Sequence, residues 1–258
     1  NKMNDQYEPY WSEYLKQFDI DDSHFQNITN NREKSCVIIE PREHPLLISV
    51  IKNFMYLLQN KGWSLIVLHG IQNESFVKTA LQNWKNVHYV KLHITNLQIH
   101  DYNNLLTKPV LWETLQKIGC KNCLLFQTDV LLLKDNVDDF LQYDFIGAPW
   151  CIEMHGINGG YNGGFSLRNV NTMLQICKTK QRIYYSYHIP EPVNEDVYFS
   201  YHMTSDVSRY CLPSKETAIQ FSMETVYSED PIGLHKPHLN IFPSSETYVQ
   251  LLSKVHVK

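Results

Sequence analysis

The chain has 258 residues, of which 43% are hydrophobic and 19% charged, and its formal net charge is -4 with an isoelectric point near 6.3. This composition predicts one sizeable core, and the weakly acidic balance excludes the basic field that gathers nucleic acid or an anionic membrane surface. No window reaches the roughly 18 apolar residues of a membrane span, and the N-terminus lacks the apolar stretch of a signal peptide. We therefore expect a soluble protein without a nucleic-acid partner.

The six cysteines lie in apolar contexts without the regular spacing of a disulfide scaffold, which favours reduced thiols and a cytoplasmic location. Cys120 and Cys123 have CxxC spacing, but no second such pair exists, so a structural role is favoured over metal binding. Glycosylation sequons at Asn27 and Asn73 carry little weight, since such triplets arise often by chance. Abundant Asn, Lys, Tyr and Ile indicate an AT-rich genome, as in giant viruses and many microbes. For a viral protein the location would be the host cytoplasm.

The first 34 residues differ in pattern from the rest of the chain. Aromatic and apolar residues recur at helical spacing from Tyr7 to Phe18, and a polar run follows at 27–34. This pattern predicts a helical extension over residues 1–34, followed by a main domain over residues 35–258.

Apolar strand-like runs alternate with amphipathic helical segments through the first half of the main domain, which predicts an α/β fold with a mostly parallel central sheet flanked by helices. Beyond Asp129 this alternation stops at a stretch rich in Gly and Pro, which we do not expect to be one regular element. We expect the functional site there. The predicted strands are 36–39, 63–68, 87–92 and 123–127, and the predicted helices are 44–58, 74–84, 103–118, 170–179 and 195–202.

Asp129 follows the apolar strand at 123–127. Because ligands of open parallel sheets bind beyond the carboxyl ends of the strands, an acid at this place could hold a metal ion against a diphosphate. An Asp after a strand also commonly caps a turn or a helix, and by itself Asp129 fits that role better.

A glycine cluster at 159–164 runs into an apolar segment. Glycines such as Gly163 and Gly164 let backbone amides approach a ligand closely, and the Asn162 side chain could bond sugar hydroxyls. The cluster matches neither dinucleotide-binding nor P-loop patterns, and a surface turn explains it about as well.

Two further motifs carry chemistry. Glu195 and Asp196 open a predicted helix, where acids are favoured by the helix dipole, but where a carboxylate could also act as the base that removes a proton from an acceptor hydroxyl. His235 and Lys236 lie together in a predicted loop; His235 could bind a metal ion and Lys236 could face phosphate oxygens. With 12 histidines in the chain, a structural role for any one of them is the more common outcome.

Together with Glu40-Pro41-Arg42 and the segment 102–106, these motifs resemble a glycosyltransferase family known mainly as domain of unknown function 5672, found in bacteria, fungi and giant viruses. The resemblance covers roughly residues 35–239. It implies a GT-A-like fold and a divalent cation, Mn²⁺ or Mg²⁺, held by Asp129 and His235 on a nucleotide-sugar donor. One departure matters, since the usual Asp-x-Asp motif is here Gln127-Thr128-Asp129, which lacks one carboxylate.

The order of the glycine cluster and Glu195-Asp196 is similar to that of beta-1,3-galactosyltransferases, which implies that Asp196 is the base of an inverting displacement. Glu195 would then orient the donor sugar or stabilise the loop. Trp150 could stack on a sugar of the acceptor or act as a partly buried anchor. The resemblance implies donor contacts for these residues: Glu40, Pro41, Arg42, Gln127, Thr128, Asn162, Gly163, Gly164 and Lys236.

The sequence thus predicts a metal-dependent glycosyltransferase that takes a nucleotide-diphosphate sugar, most commonly a UDP-sugar in this fold, and a glycan or glycoconjugate acceptor. A retaining enzyme is the nearest alternative, because no spacing sets the geometry between Asp196 and the anomeric carbon. A nucleotide-sugar-binding protein without catalysis and a nucleotidyltransferase are alternatives of other classes. The aromatic N-terminal extension could pack on its own domain or on a second subunit, and the latter would give a homodimer.

Overall fold

The computed structural model describes residues 8–151, 157, 159–186, 189–236, 241–255 and 257. Its main helices are α1 (Glu8–Lys16), α2 (Leu47–Leu58), α3 (Glu74–Ala80), α4 (Ile99–Leu106), α5 (Pro109–Ile118), α6 (Val170–Thr179), α7 (Glu195–Thr204), α8 (Lys215–Phe221) and α9 (Ser245–Ser253). Its strands are β1 (Lys34–Glu40), β2 (Ser64–His69), β3 (His88–Lys91), β4 (Asn122–Phe126), β5 (Val130–Leu132), β6 (Phe145–Pro149), β7 (Tyr161–Asn169), β8 (Tyr184–Ser186), β9 (Ile189–Pro192), β10 (Ser222–Met223) and β11 (Gly233–His235).

Six strands form the central sheet in the order β3-β2-β1-β4-β7-β6. The first four are parallel to one another, and β7 runs antiparallel to both β4 and β6. Strands β1, β2 and β4 are apolar runs buried along nearly their whole length, as expected of parallel strands covered on both faces. The predicted α/β class with a mostly parallel sheet flanked by helices is confirmed.

The direction in which the chain builds the sheet changes between β1 and β4. From β1 the chain moves outward through β2 to β3, and it then returns to place β4 on the other side of β1. At such a switch point the connecting loops leave in opposite directions, so a crevice opens beyond the carboxyl ends of the two strands. Glu40 and Gln127 lie at this edge, at the end of β1 and directly after β4.

A small second sheet brings the end of the main domain back to this edge. Its order is β10-β11-β5, and β11 is antiparallel to β5, with His235 opposite Val130. Since Val130 follows Asp129 directly, this pairing brings His235 next to the loop after β4. The register of two short strands therefore decides which histidine faces the predicted acid.

Several predicted elements differ in detail from the structure. The predicted helix 103–118 is divided into α4 and α5 at Thr107–Lys108, because Pro109 opens a new helix and disfavours helical geometry in the residue before it. The glycine-rich stretch is not one regular element, as expected, but its last two glycines, Gly163 and Gly164, lie inside β7. Their neighbours Phe165 and Leu167 pair with β4, and this ladder outweighs the low strand propensity of glycine.

Helix α1 packs on the same core as the main domain. Trp11, Leu15 and Phe18 are buried, and the hydroxyl of Tyr14 donates a hydrogen bond of 2.6 Å to the carbonyl of Leu132 in β5. None of the helices in the described part of the chain is long and apolar enough to cross a membrane.

Candidate active site

A cleft of about 360 Å³ opens at the switch point between β1 and β4. Its walls come from the carboxyl end of β1, the loop after β4, the start of β7, the start of α7 and the end of β11. Most of the predicted site residues meet here although they are distant in sequence. The described lining residues are Ile39, Glu40, Pro41, Arg42, Leu97, Ile99, Tyr102, Asn103, Gln127, Thr128, Asp129, Asn162, Gly164, Asn194, Glu195, Asp196, His235 and Lys236.

Asp129 and His235 face each other in this cleft. His235 Nε2 lies 3.6 Å from Asp129 Oδ1, and both atoms are buried without a hydrogen-bond partner in the described structure. Lys236 Nζ lies 2.9 Å from the other carboxylate oxygen, Oδ2. Burial would raise the pKa of Asp129, but His235 and Lys236 outweigh it and hold this pKa below its usual value. The carboxylate is therefore ionised near neutral pH.

These two side chains fit a divalent cation. An oxygen and an imidazole nitrogen that are buried, unpartnered and directed at each other match the donor atoms that Mn²⁺ accepts in proteins. Gly164 keeps the space open, because a Cβ there would lie 2.3 Å from His235 Nε2. No group of three or more His, Cys, Asp or Glu side chains suited to a metal ion occurs among the described residues. Asp129 and His235 would thus supply two ligands, leaving the remaining positions to a ligand of the cleft or water.

Lys236 has a strained backbone, with φ of +41°, a value that residues with a side chain rarely adopt. Strain of this kind costs about 1–3 kcal/mol and persists where the surroundings require the geometry. Here it places a half-exposed ammonium group at the edge of the cleft, beside Asp129.

Asp196 stands in the first turn of α7 and lines the same cleft. Its Oδ1 accepts a 2.8 Å hydrogen bond from the backbone N–H of Val197. Burial and then the adjacent charge of Glu195 raise the pKa of Asp196 to about 7, although the amides of Val197 and Gly163 and the charge of Arg168 act in the opposite direction. A carboxylate with this pKa can accept a proton near neutral pH.

Glu195 is engaged in a buried ion pair that the sequence analysis missed. Arg168 Nη1 and Nη2 lie 2.6 Å and 2.9 Å from its two carboxylate oxygens, and both side chains are almost completely inaccessible to solvent. The guanidinium lies 4.7 Å from the Phe145 ring centre and also bonds the carbonyl of Gly163. The sequence signal that could have predicted this ion pair is the arginine inside the apolar run of β7. A charge in a buried strand requires a partner.

A chain of amide side chains holds the start of α7 from outside the helix. Asn103 Oδ1 accepts from the backbone N–H of Glu195 at 3.0 Å, and Asn103 Nδ2 donates to Asn194 Oδ1 at 2.9 Å. The first orphan amide of α7, that of Glu195, is thereby bonded by α4, and Asn194 makes no side-chain cap to the helix. The position of Asp196 is therefore tied to two other elements of the fold.

Glu40, Pro41 and Arg42 form the wall beyond β1. Both carboxylate oxygens of Glu40 accept from the Arg42 guanidinium at 2.8 Å, and this contact raises the pKa of Arg42. Asn73 donates to the carbonyls of Glu40 and Arg42 and fixes the loop. About half of the Arg42 side chain remains exposed to the cleft and solvent.

Two predicted site residues lie elsewhere. Gly163 is not among the described lining residues; a Cβ there would lie 1.9 Å from Glu195 Oε1, so it provides room for the ion pair. Trp150 lines a second cavity, and its ring lies against Gly160, where a Cβ would be 2.0 Å away. Gln127, Thr128, Asn162, Gly164 and Lys236 do line the cleft. Cys120 and Cys123 are buried free thiols, as a structural role requires.

The fold is that of an α/β protein with a mostly parallel sheet, a class whose ligands bind in the crevice at the switch point, and here that crevice carries acidic, imidazole and ammonium groups. The chain belongs to the family described as Protein of unknown function (DUF5672), whose sequence profile matches residues 85–235. That match includes Asp129, Arg168, Glu195, Asp196 and His235. No curated protein sequence matches the chain significantly.

Several solved structures are similar at low identity. The glycosyltransferase GlyE of Streptococcus pneumoniae TIGR4 is 13% identical, with a TM-score of 0.47 over 78% of this chain and 54% of that one, so this chain spans about half its length. Mouse xyloside xylosyltransferase 1 is 9% identical, with a TM-score of 0.48 over 78% and 96% of the two chains. The mannosyltransferase PcManGT of Pyrobaculum calidifontis, solved with GDP-Man and Mn²⁺, is 10% identical, with a TM-score of 0.44 over 81% and 64%.

A cytidylyltransferase from Leptospira borgpetersenii is also similar, at 12% identity and a TM-score of 0.43 over 85% of this chain and 92% of that one. Glycosyltransferases and a nucleotidyltransferase thus occur among the similar structures. These identities and TM-scores are too low to transfer an activity to this chain.

Proposed function

We propose that this protein is a glycosyltransferase that moves a sugar from a nucleotide-diphosphate donor, in the first instance a UDP-sugar, to an acceptor hydroxyl with inversion at the anomeric carbon. The observation that carries the proposal is the cleft itself, where a carboxylate with a pKa of about 7, Asp196, shares one space with the Asp129–His235 pair. A proton acceptor and a site for diphosphate charge are the two components that glycosyl transfer requires.

In the proposed reaction Asp196 accepts the proton of the acceptor hydroxyl as its oxygen bonds to the anomeric carbon. The bond from that carbon to the donor phosphate breaks on the opposite side, and its electron pair leaves with the nucleoside diphosphate. Inversion follows because one displacement occurs, with a base on the acceptor side, as in inverting glycosidases. A base with a pKa near the working pH is ionised often enough to act and basic enough to take the proton.

The diphosphate would bind in the part of the cleft lined by Asp129, His235 and Lys236. Lys236 and Arg42 present cationic groups there, and Asp129 and His235 would hold the divalent cation. When bound, the cation would supply Lewis-acid stabilisation of the leaving nucleotide. The Lys236 ammonium would exchange its contact with Asp129 for one with a phosphate oxygen. The exchange is feasible because the carboxylate and the phosphate are both charged acceptors.

The remaining residues would orient the donor. Asn162 Oδ1 accepts from the backbone N–H of Gly164 at 2.8 Å, which fixes the amide while its NH₂ group stays available for a sugar hydroxyl. Gln127 and Thr128 stand in the loop after β4, and Pro41 lines the wall where we place the nucleoside. Each of these assignments supports the same orientation of the donor, with its diphosphate towards Asp129 and its sugar towards Asp196.

The test is a screen of the purified protein against a panel of nucleotide sugars, with and without Mn²⁺, following donor hydrolysis and thermal shift. We expect manganese-dependent turnover of one donor with release of the nucleoside diphosphate, and loss of turnover in Asp129→Ala and Asp196→Asn. Asp230→Asn, which alters a surface carboxylate paired with Lys134, serves as the matched control and should behave as wild type.

Other outcomes would identify the alternatives. Release of pyrophosphate would indicate a nucleotidyltransferase, and a thermal shift without any turnover would indicate a nucleotide-sugar-binding protein. Retention of the anomeric configuration in the product would exclude Asp196 as the base of a single displacement. If no donor causes a thermal shift and none is turned over, the donor site is refuted.

A further inference from the structure

Glu195 lines the cleft, but both of its carboxylate oxygens are already bonded by Arg168. Both oxygens of Glu195 are within 2.6–2.9 Å of the guanidinium, and the two side chains are 5% and 0% exposed. Arg168 is enclosed by the rings of Phe145, Phe199 and Trp112, at 4.7, 5.6 and 5.9 Å. A donor sugar would have to break this pair to reach Glu195, which would leave a buried charge without a partner.

Stability alone does not account for this pair. Removing two charges from water costs several kcal/mol per ion, and well-packed apolar residues of similar volume are commonly as stable as a buried ion pair. The surrounding residues, however, provide both the space and the hydrogen bonds that the ion pair requires. Gly163 leaves room for the Glu195 carboxylate, and the Gly163 carbonyl accepts from both Arg168 Nη2 and Ser166 Oγ. The Arg168 Nε–H donates to Ser166 Oγ as well, at 2.8 Å.

The ion pair joins β7 to the start of α7, where the position of Asp196 is set. Arg168 lies in β7, at the register position opposite Cys123 of the rigid sheet, whereas Glu195 is the first residue of α7. The next residue is Asp196. A two-point contact restricts both the distance and the rotation of the helix start, which a single hydrogen bond does not.

We propose, on the basis of the function proposed above, that Arg168 and Glu195 are positioning residues: their buried bidentate contact anchors the first turn of α7 to the central sheet and so directs Asp196 into the cleft, while Glu195 itself does not contact the donor. The pair also sets the charge beside Asp196. In this arrangement Glu195 opposes ionisation of its neighbour, and Arg168 limits that effect. The other charged groups that line the cleft are Glu40, Arg42, Asp129, His235 and Lys236.

Glu195→Gln separates positioning from donor contact. The variant keeps the shape of the side chain but removes its charge, so the pair loosens and the charge that raises the Asp196 pKa is lost. We expect kcat for the donor found in the screen to fall up to about 100-fold, as for a misplaced catalytic group, with donor KM nearly unchanged. The rising limb of the pH profile should move to lower pH. Glu195→Asp restores the charge with shorter reach, so its limb should return towards the wild-type position while kcat stays low.

A surface control variant and a double variant separate a positioning effect from a folding defect. Glu113→Gln removes the carboxylate from a surface ion pair with Lys178 and should change neither kcat nor the pH profile. If Glu195→Gln fails to fold, the double variant Arg168→Met with Glu195→Gln removes both charges and should show the same loss of kcat. A rise in donor KM at unchanged kcat, with an unmoved pH limb, would overturn the proposal and return Glu195 to the donor site.

A measurement without substrate separates this proposal from the enzymatic function. The difference between wild type and Glu195→Gln in the pH dependence of the unfolding midpoint reports how Glu195 acts on the ionisation of Asp196. Between pH 5 and 8, wild type should lose more stability than Glu195→Gln, because Glu195 is one cause of the raised Asp196 pKa. Identical pH dependence in both proteins would overturn the claim that the pair sets the charge beside Asp196, whereas absence of turnover alone would overturn the proposed function.

Discussion

His235 Nε2 and Asp129 Oδ1 lie 3.6 Å apart, each buried and without a hydrogen-bond partner in the described structure. An unpaired buried donor or acceptor costs about 1–3 kcal/mol, so two such atoms facing each other indicate a component that binds between them. The antiparallel register of β11 and β5 creates this pair. It is the relationship on which the metal assignment depends.

Mn²⁺ should therefore stabilise the protein in the absence of any donor. Binding at 100 times the dissociation constant adds about 2.7 kcal/mol to the free energy of unfolding, which corresponds to about 5–10 °C in Tm for a chain of this size. Asp129→Asn and His235→Ala should each abolish most of this shift in a thermal-denaturation titration. Asp230→Asn should retain it, and an undiminished shift in both cleft variants would refute the site.

Asp196→Asn should reduce donor turnover by about 10²–10⁴-fold, the usual contribution of a general base. In wild type, turnover should rise as pH increases through about 7, because the raised pKa of Asp196 keeps the carboxyl protonated below that pH. Initial rates between pH 5 and 9 with the donor from the screen measure both effects. A profile that is flat through pH 7 would argue against Asp196 as the base.

The same raised pKa has a consequence for stability. The unfolded chain releases the Asp196 proton near its ordinary pKa of 3.8, whereas the folded protein retains it up to about 7. Between these values the folded state binds more protons, so the contribution of this group to the free energy of unfolding falls as pH rises. Asp196→Asn should thus be more stable relative to wild type at pH 8 than at pH 5, by calorimetry. A difference that does not change with pH would contradict the raised pKa.

Two glycines of β7 should respond differently to the same substitution. Gly163→Ala places a Cβ 1.9 Å from Glu195 Oε1 and should destabilise the protein and lower kcat by displacing the ion pair. Gly164→Ala meets the His235 ring at 2.3 Å and should chiefly reduce the shift caused by Mn²⁺. Gly119→Ala is the control, since its Cβ would meet nothing within 4 Å and its φ of +99° costs only backbone strain, of about 1–3 kcal/mol.

Some parts of the fold could be predicted because they depend on neighbours in sequence. The continuous apolar runs of β1, β2 and β4 and the periodic apolar faces of α2 and α6 can each be recognised within a few residues. The division of α4 from α5 was missed although Pro109 marks it, because the apolar pattern continues across the break. Strand β7 was not predicted because its glycines have a low strand propensity. Glycine is needed there because side chains from residues far along the chain pack closely against the backbone.

The sequence by itself determined the class of fold, the acid after β4, the acid pair that opens α7 and the cleft edge where these groups meet, since each depends on local pattern and on the direction of parallel strands. Only the tertiary structure decided that His235 faces Asp129, that Glu195 is held by Arg168 and that Trp150 lies in another cavity. Those outcomes depend on strand register and on the requirement that a buried charge finds a partner. Both are satisfied between residues far apart in sequence, where local pattern carries no information.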